Sequence, residues 1–360
     1  MTLSGVTPRW ASPPGETVAA IVRERDLKAS SVASELGLTT TTFDSLLSGD
    51  LAISLALATS LSAAVGASAA FWLTREAQYR EDLDRVEADR WSLALPLKQM
   101  SEFGWIREPT SWQDRISIAL SYFGVADVAD WDRRYAASVE SALFRTSETF
   151  AHELQATAVW FRACELEANR IEIASRFDPV GFRSALQSLR SLTRQPDPST
   201  FMPILIRECA KVGVRVVVVR APKGCTASGS TRVYRGAPLI SLSSRHMSDD
   251  HFWFTFFHEA AHLLDPGAQP TTVDRDEEVE SDTERAANGL AHTMLFGDVA
   301  SLPRPGSYKD VIRFAQQVGV SPGVVVGQLQ HLGLIRRNQY NSLKRFYRWS
   351  GTTLERAGRP

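Results

Sequence analysis

Residues 257–266 read FHEAAHLLDP. Two of the chain's seven histidines, His258 and His262, stand four apart here, with Glu259 after the first. On a helix, residues four apart share a face, so both imidazoles can hold one ion from a single turn. Zinc takes nitrogen, oxygen and sulfur ligands in a tetrahedral array, and a hydrolytic centre keeps one position for water. Glu259, beside the pair, is placed to take a proton from that water. The run before it, FWFTFF (252–257), predicts an apolar entry to the helix. A Glu-His pair behind such a run is costly to bury without a partner.

A third ligand is needed. Glu284, in ESDTERAANGLAH (280–292), is the first choice, because the acidic loop VDRDEEVESDTE (273–284) gives the chain room to return antiparallel. Asn288 lies one turn further on, where it can orient a ligand. Glu280, one turn earlier, is the alternative, and Asp265 and His292 are further candidates.

Working outward, Pro13-Pro14-Gly15 punctuates the start. Short helices are expected at 16–25, 30–36, 40–47, 54–65 and 69–80, with Gly37, Gly49 and Gly66 between them. In SSVASELGLTTTTFDSLL (30–47), Ala33, Leu36, Phe43 and Leu46 are spaced to pack two short helices together, a helix-turn-helix pattern. Residues 81–200 read as mostly helical, and QPDPST (195–200) as a boundary. VRVVVV (214–219) is the clearest strand, PKGCTASGSTRVYRG (222–236) a glycine-containing loop, and PLISLSSR (238–245) a second strand. A helix is expected at about 281–296, and 308–350 reads as helical again. The fold class expected is α+β, predominantly α-helical.

At 360 residues the chain is too long for one ordinary core. Hydrophobic content of 44% and charged content of 22% are those of a soluble globular protein. A net charge of −1 excludes a polycation built for nucleic acid, so any such role needs a local patch. Three cysteines without CxxC spacing imply no disulfide framework and suit a reducing cytoplasm. The start has no basic region followed by an apolar run, and no stretch of about 18 apolar residues occurs, so neither secretion nor a membrane span is expected.

PLISLSSRHMSDDHFWFTFFHEAAHLL (238–264) followed by ERAANGLA (284–291) resembles the ImmA/IrrE family of metallopeptidases. That family pairs a strand, a helix bearing HExxH and a following helix with an ExxANxFA-like pattern. Here the last is carried by Glu284, Ala287, Asn288 and Ala291, with Leu290 where an aromatic is common. The resemblance makes His258, His262 and Glu284 the zinc ligands and Glu259 the general base. FAQQVGVSPGVVVGQLQHLGLI (314–335) is similar to the end of longer members, so the likeness covers roughly residues 200–350.

The segment 14–80 resembles an XRE-type helix-turn-helix of the HigA antitoxin kind. The two resemblances imply a five-helix helix-turn-helix domain (1–80), a helical middle region (81–200), a zincin-like peptidase domain with a small sheet (201–302) and a C-terminal helical extension with a basic tail (303–360). They imply a cytoplasmic zinc metalloendopeptidase that cuts or controls an XRE-type repressor or toxin–antitoxin partner, in stress, phage or toxin–antitoxin settings. The alternative is a DNA-binding regulator or antitoxin whose peptidase fold senses or clamps a partner with little proteolysis.

Operator contacts would fall to Thr40, Thr41, Thr42 and Ser45. Residues 1–80 hold six Lys/Arg against seven Asp/Glu, and Asp44 would repel phosphate. A helix pair kept for homodimerisation or for docking another protein therefore stays open. The tail collects Arg336, Arg337, Lys344, Arg345, Arg348, Arg356 and Arg359 against Glu355. A substrate strand is expected on an exposed sheet edge at PLISLSS (238–244). His292, His246 and Tyr234 are the candidates for oxyanion stabilisation.

Overall fold

The computed structural model describes residues 10–136, 148–265, 271–274, 282–297 and 306–358, with backbone alone at 136, 148–152 and 271–274. Glu280 and Arg359 lie outside the described residues. The chain forms two compact units. One holds the described residues up to Ala94 with Pro109–Ala119, and the other holds Leu95–Glu108 and the residues from Leu120 onward.

The first unit begins with α1 (Pro14–Glu24), α2 (Ala29–Glu35), α3 (Thr40–Ser48), α4 (Leu55–Ala64) and α5 (Ala69–Ala94). Caps set these short helices. Thr39 accepts the Thr42 N–H at the start of α3, and Gly49 ends it at φ 86. Ala33, Leu36, Phe43 and Leu46 all bury, beside Val18, Leu61 and Trp72. Helix α5 does not stop at residue 80 but runs to Ala94. Ion pairs one turn apart, Arg80 with Glu76 and Arg85 with Asp82, favour its continuation through that polar stretch.

The second unit carries α6 (Leu97–Glu102), α8 (Val128–Trp131), α9 (Glu148–Ala168), α10 (Pro179–Leu189) and α11 (Pro198–Lys211), while α7 (Trp112–Phe123) is divided between the units. Then follow β1 (Arg215–Val218), β2 (Gly229–Tyr234), β3 (Ala237–Leu242), α12 (Asp249–Leu264), β4 (Thr271–Asp274), α13 (Asp282–Phe296), α14 (Tyr308–Val318), α15 (Pro322–His331), β5 (Tyr347–Ser350) and β6 (Thr353–Arg356). The larger sheet has the order β1-β3-β2-β4, with β1 parallel to β3 and the other pairs antiparallel. No helix among the described residues is long and apolar enough to cross a membrane.

Several expectations need correction. The glycine-containing loop at 222–236 includes β2, which joins β3 through a two-residue turn. Arg235 and Gly236 there both have positive φ, the geometry a tight hairpin demands. Strand β3 is interior, paired on both sides and buried at all six positions, so it offers no edge to a substrate. The segment expected to be helical over 308–350 ends in the β5–β6 hairpin. In the basic tail, Lys344 pairs with Asp250, Arg345 donates to the Thr193 carbonyl, and Arg348 pairs with Glu355. Phe182, Phe201, Trp253, Phe256, Val325 and Leu354 bury in one cluster.

That cluster fixes α12. Its apolar run supplies Phe252, Trp253, Phe256 and Phe257 to the core. Its first turn carries Asp249 and Asp250, favourable at the positive end of the helix dipole. Both are buried, and both are answered. Asp249 accepts from the Arg345 N–H (3.0 Å) and the Ser321 hydroxyl (2.9 Å), and Lys344 Nζ stands 2.5 Å from Asp250 Oδ2. Helix α15 comes this close because Gly323 and Gly327 leave room, where a Cβ would strike Asp249 and Asp250.

Candidate metal centre

Helix α12 presents His258 and His262 on one face, and both are buried, at 1% and 4% exposure. Their Nε2 atoms stand 3.0 Å apart. Helix α13 brings Glu284 against them, with Oε2 3.0 Å from His258 Nε2 and Oε1 3.4 Å from His262 Nε2. Two ligand atoms about 2.0–2.1 Å from a zinc ion, spread at the tetrahedral angle, stand about 3.4 Å apart. The observed separations, 3.0 Å between the imidazoles and 3.0 and 3.4 Å to one or the other Glu284 oxygen, lie at that spacing or a few tenths of an ångström inside it. Two neutral imidazole nitrogens facing each other can share only one proton, whereas one cation satisfies both lone pairs and the carboxylate. The residues present therefore fit a zinc ion.

Asn288, one turn after Glu284 on α13, places Oδ1 2.9 Å from His258 Nδ1. A carbonyl oxygen only accepts, so Nδ1 of His258 carries the proton and Nε2 keeps its lone pair for a metal. Burial raises the Glu284 pKa, but contact with His258 and His262 outweighs it in the metal-free site and holds the carboxyl down at about 2. Glu284 is thus ionised at neutral pH, as a ligand must be.

Glu259 turns from this face toward the sheet and is fully buried, at 0% exposure. Its Oε2 accepts from the Thr231 hydroxyl at 2.6 Å. A Cβ at Gly229 would strike Glu259 Oε1 and Thr255 Cγ2. Thr231, Gly229 and Thr255 were not singled out by sequence reasoning. The alternation in GSTRVY ahead of the Arg235-Gly236 turn is the signal that could have placed the first two on a strand.

His258, His262 and Glu284 form the one group of its kind among the described residues. Asp265 caps the C-terminus of α12 and His292 packs on Phe296, neither inside that group. Of the remaining oxyanion candidates, Tyr234 donates to Asn169 Oδ1 (3.2 Å), and His246 stacks on His251 at 4.3 Å. In the first unit, Thr40 and Thr41 are exposed, Thr42 bonds Thr39, and the Ser45 hydroxyl donates to the Thr41 carbonyl. The three cysteines are buried and free.

No curated protein and no solved structure matches the chain. Residues 209–330, which carry His258, Glu259, His262, Glu284 and Asn288, match the family model of the IrrE N-terminal-like domain, Peptidase_M78, and so carry a metallopeptidase-type domain.

Proposed function

We propose that the chain is a regulatory zinc-dependent metalloendopeptidase, cytoplasmic, acting on or controlling an XRE-type repressor or a toxin–antitoxin partner. The convergence of two imidazoles and one carboxylate at zinc-ligand spacing is the observation that carries this reading.

Zinc held there supplies a Lewis acid that polarises a scissile carbonyl and makes water acidic near neutral pH. His258 and His262 present lone pairs to it, and Asn288 fixes the His258 tautomer. Glu259 accepts the proton of the attacking water and passes it to the leaving amine. An extended substrate has the outer strands β1 and β4 to pair with, and β4 lies on the side of β2, the strand that touches Glu259.

The test is metal analysis with a cleavage assay on the wild type and Glu259→Gln. The variant should keep its zinc and lose about 10²–10⁴-fold in rate. A wild type without zinc, or a variant that cuts equally well, contradicts the proposal.

A second reading, of a different class, is a DNA-binding regulator or antitoxin whose peptidase fold serves as sensor or clamp. The packed α2–α3 pair with Thr40 and Thr41 exposed on α3 favours it. Neither helix carries a Lys or Arg, which favours a homodimer or protein contact at the same surface. A gel shift on the upstream region, full length against a deletion of residues 1–80, separates the two. A shift lost with the deletion supports operator binding, and no shift at any salt concentration contradicts it.

A further inference from the structure

We propose that Thr231, with Gly229 two residues before it on β2, is the positioning element of Glu259. This rests on Glu259 acting as the general base. Neither residue belongs to the metal-ligand set.

The geometry is specific. Gly229 and Thr231 lie two apart on a strand and so share a face, and both meet Glu259 of α12. Strand β2 is held on both sides, Thr231 opposite Ile240 of β3 and Thr272 of β4, which makes it a rigid platform. The Thr231 hydroxyl lies 2.6 Å from Glu259 Oε2 and 2.9 Å from the Glu259 carbonyl oxygen. It carries one proton for two acceptors. The shorter distance is in the range of an O–H donor to an ionised oxygen, so the proton goes to the carboxylate. Gly229 meanwhile leaves room for the other oxygen, since a Cβ there would strike Oε1.

One oxygen is tethered, and the other occupies the space that Gly229 leaves. A glutamate has three rotatable side-chain bonds, and a base displaced by 1 Å loses much of its effect. The Thr231 hydrogen bond therefore holds the carboxylate in one rotamer, in the space that Gly229 leaves on β2. Thr231 acts through Glu259 and touches no reacting atom, so its removal should alter turnover and leave metal binding alone.

The experiment uses the full chain and the variants Thr231→Val, Thr231→Ser and Glu259→Ala, singly and with Thr231→Val combined with Glu259→Ala. Two measurements are made. On the metal-free chain, thermal unfolding midpoints form a double-mutant cycle, and Thr231→Val should lower the midpoint more in the wild type than in the Glu259→Ala background. On the zinc-loaded chain, with reduced and carboxymethylated casein as the unfolded probe, Thr231→Val should lower kcat by about 10- to 100-fold while zinc affinity and KM stay within about twofold. Thr231→Ser, which keeps the hydroxyl, should restore both the cycle and kcat.

Additive midpoints, an unchanged kcat, or a Thr231→Ser variant as impaired as Thr231→Val each overturn the positioning role. A Thr231→Val variant that loses zinc overturns it as well, because the residue is then structural. A wild type that holds zinc and cuts nothing overturns the peptidase reading together with this one. A wild type that cuts, beside an equally fast Thr231→Val variant, overturns the positioning role alone.

Discussion

His258 Nδ1 and Asn288 Oδ1 lie 2.9 Å apart across two helices, though thirty residues separate them in the chain. This hydrogen bond leaves the other imidazole nitrogen, Nε2, toward His262 and Glu284. Asn288→Ala removes the acceptor and leaves the His258 ring free to change tautomer and orientation. Zinc affinity should fall by about 10- to 100-fold, with the far-ultraviolet circular dichroism unchanged. A competition titration against a chromogenic chelator reads it directly, and an unaltered affinity counts against the assigned role.

Lys344 lies beyond the segment that matches the peptidase family, yet its ammonium is the partner of Asp250 at the start of the helix that carries His258 and His262. The two side chains are 11% and 5% exposed. Breaking a buried pair by removing one member leaves an uncompensated charge, so Lys344→Ala should destabilise the chain by about 3–5 kcal/mol. Urea unfolding of the metal-free protein measures this. A loss below about 1 kcal/mol, the range of an exposed pair, would show that the C-terminal segment does not anchor α12.

Asp249 sits next to that pair, and burial pushes its carboxyl up to about 6 from an ordinary value of 3.8. The hydrogen bond from the Arg345 N–H opposes the rise without cancelling it. The native state then holds the proton more tightly than the unfolded state. The stabilisation is fully present below about pH 4 and is lost as pH rises through about 6. Asp249→Asn cannot titrate. Its stability relative to wild type should improve between pH 4 and 6, by up to about 3 kcal/mol at about 1.4 kcal/mol per pKa unit. Urea midpoints of both metal-free proteins across that window provide the check. A constant difference between them would contradict the shift.

The cluster of His258, His262 and Glu284 was legible in the sequence because its parts are local. His258 and His262 share one helical turn, and Glu284 and Asn288 share another, so periodicity alone places each pair on a face. The two helices around Phe43 and Leu46 were legible for the same reason. What escaped depends on contacts between segments far apart in the chain. β2 was read as loop because its glycine and small polar residues hide the alternation, and Thr231 meets Glu259 only once β2 is in the sheet. The ties of Lys344 and Arg345 to Asp250, Asp249 and Thr193 span from about ninety to over one hundred and fifty residues. A run of basic residues near a terminus carries no local sign of such partners. β3 was expected at an edge because nothing in PLISLSS says which strands flank it.

The metal content of the purified full-length chain is the most direct measurement. After dialysis against zinc and then against buffer, elemental analysis should find one zinc per wild-type chain, as three protein ligands around a tetrahedral ion require. His262→Ala and Glu284→Ala should each abolish that binding. A wild type that retains no divalent metal, or a Glu284→Ala variant that retains a full equivalent with unchanged affinity, would contradict a centre built from His258, His262 and Glu284.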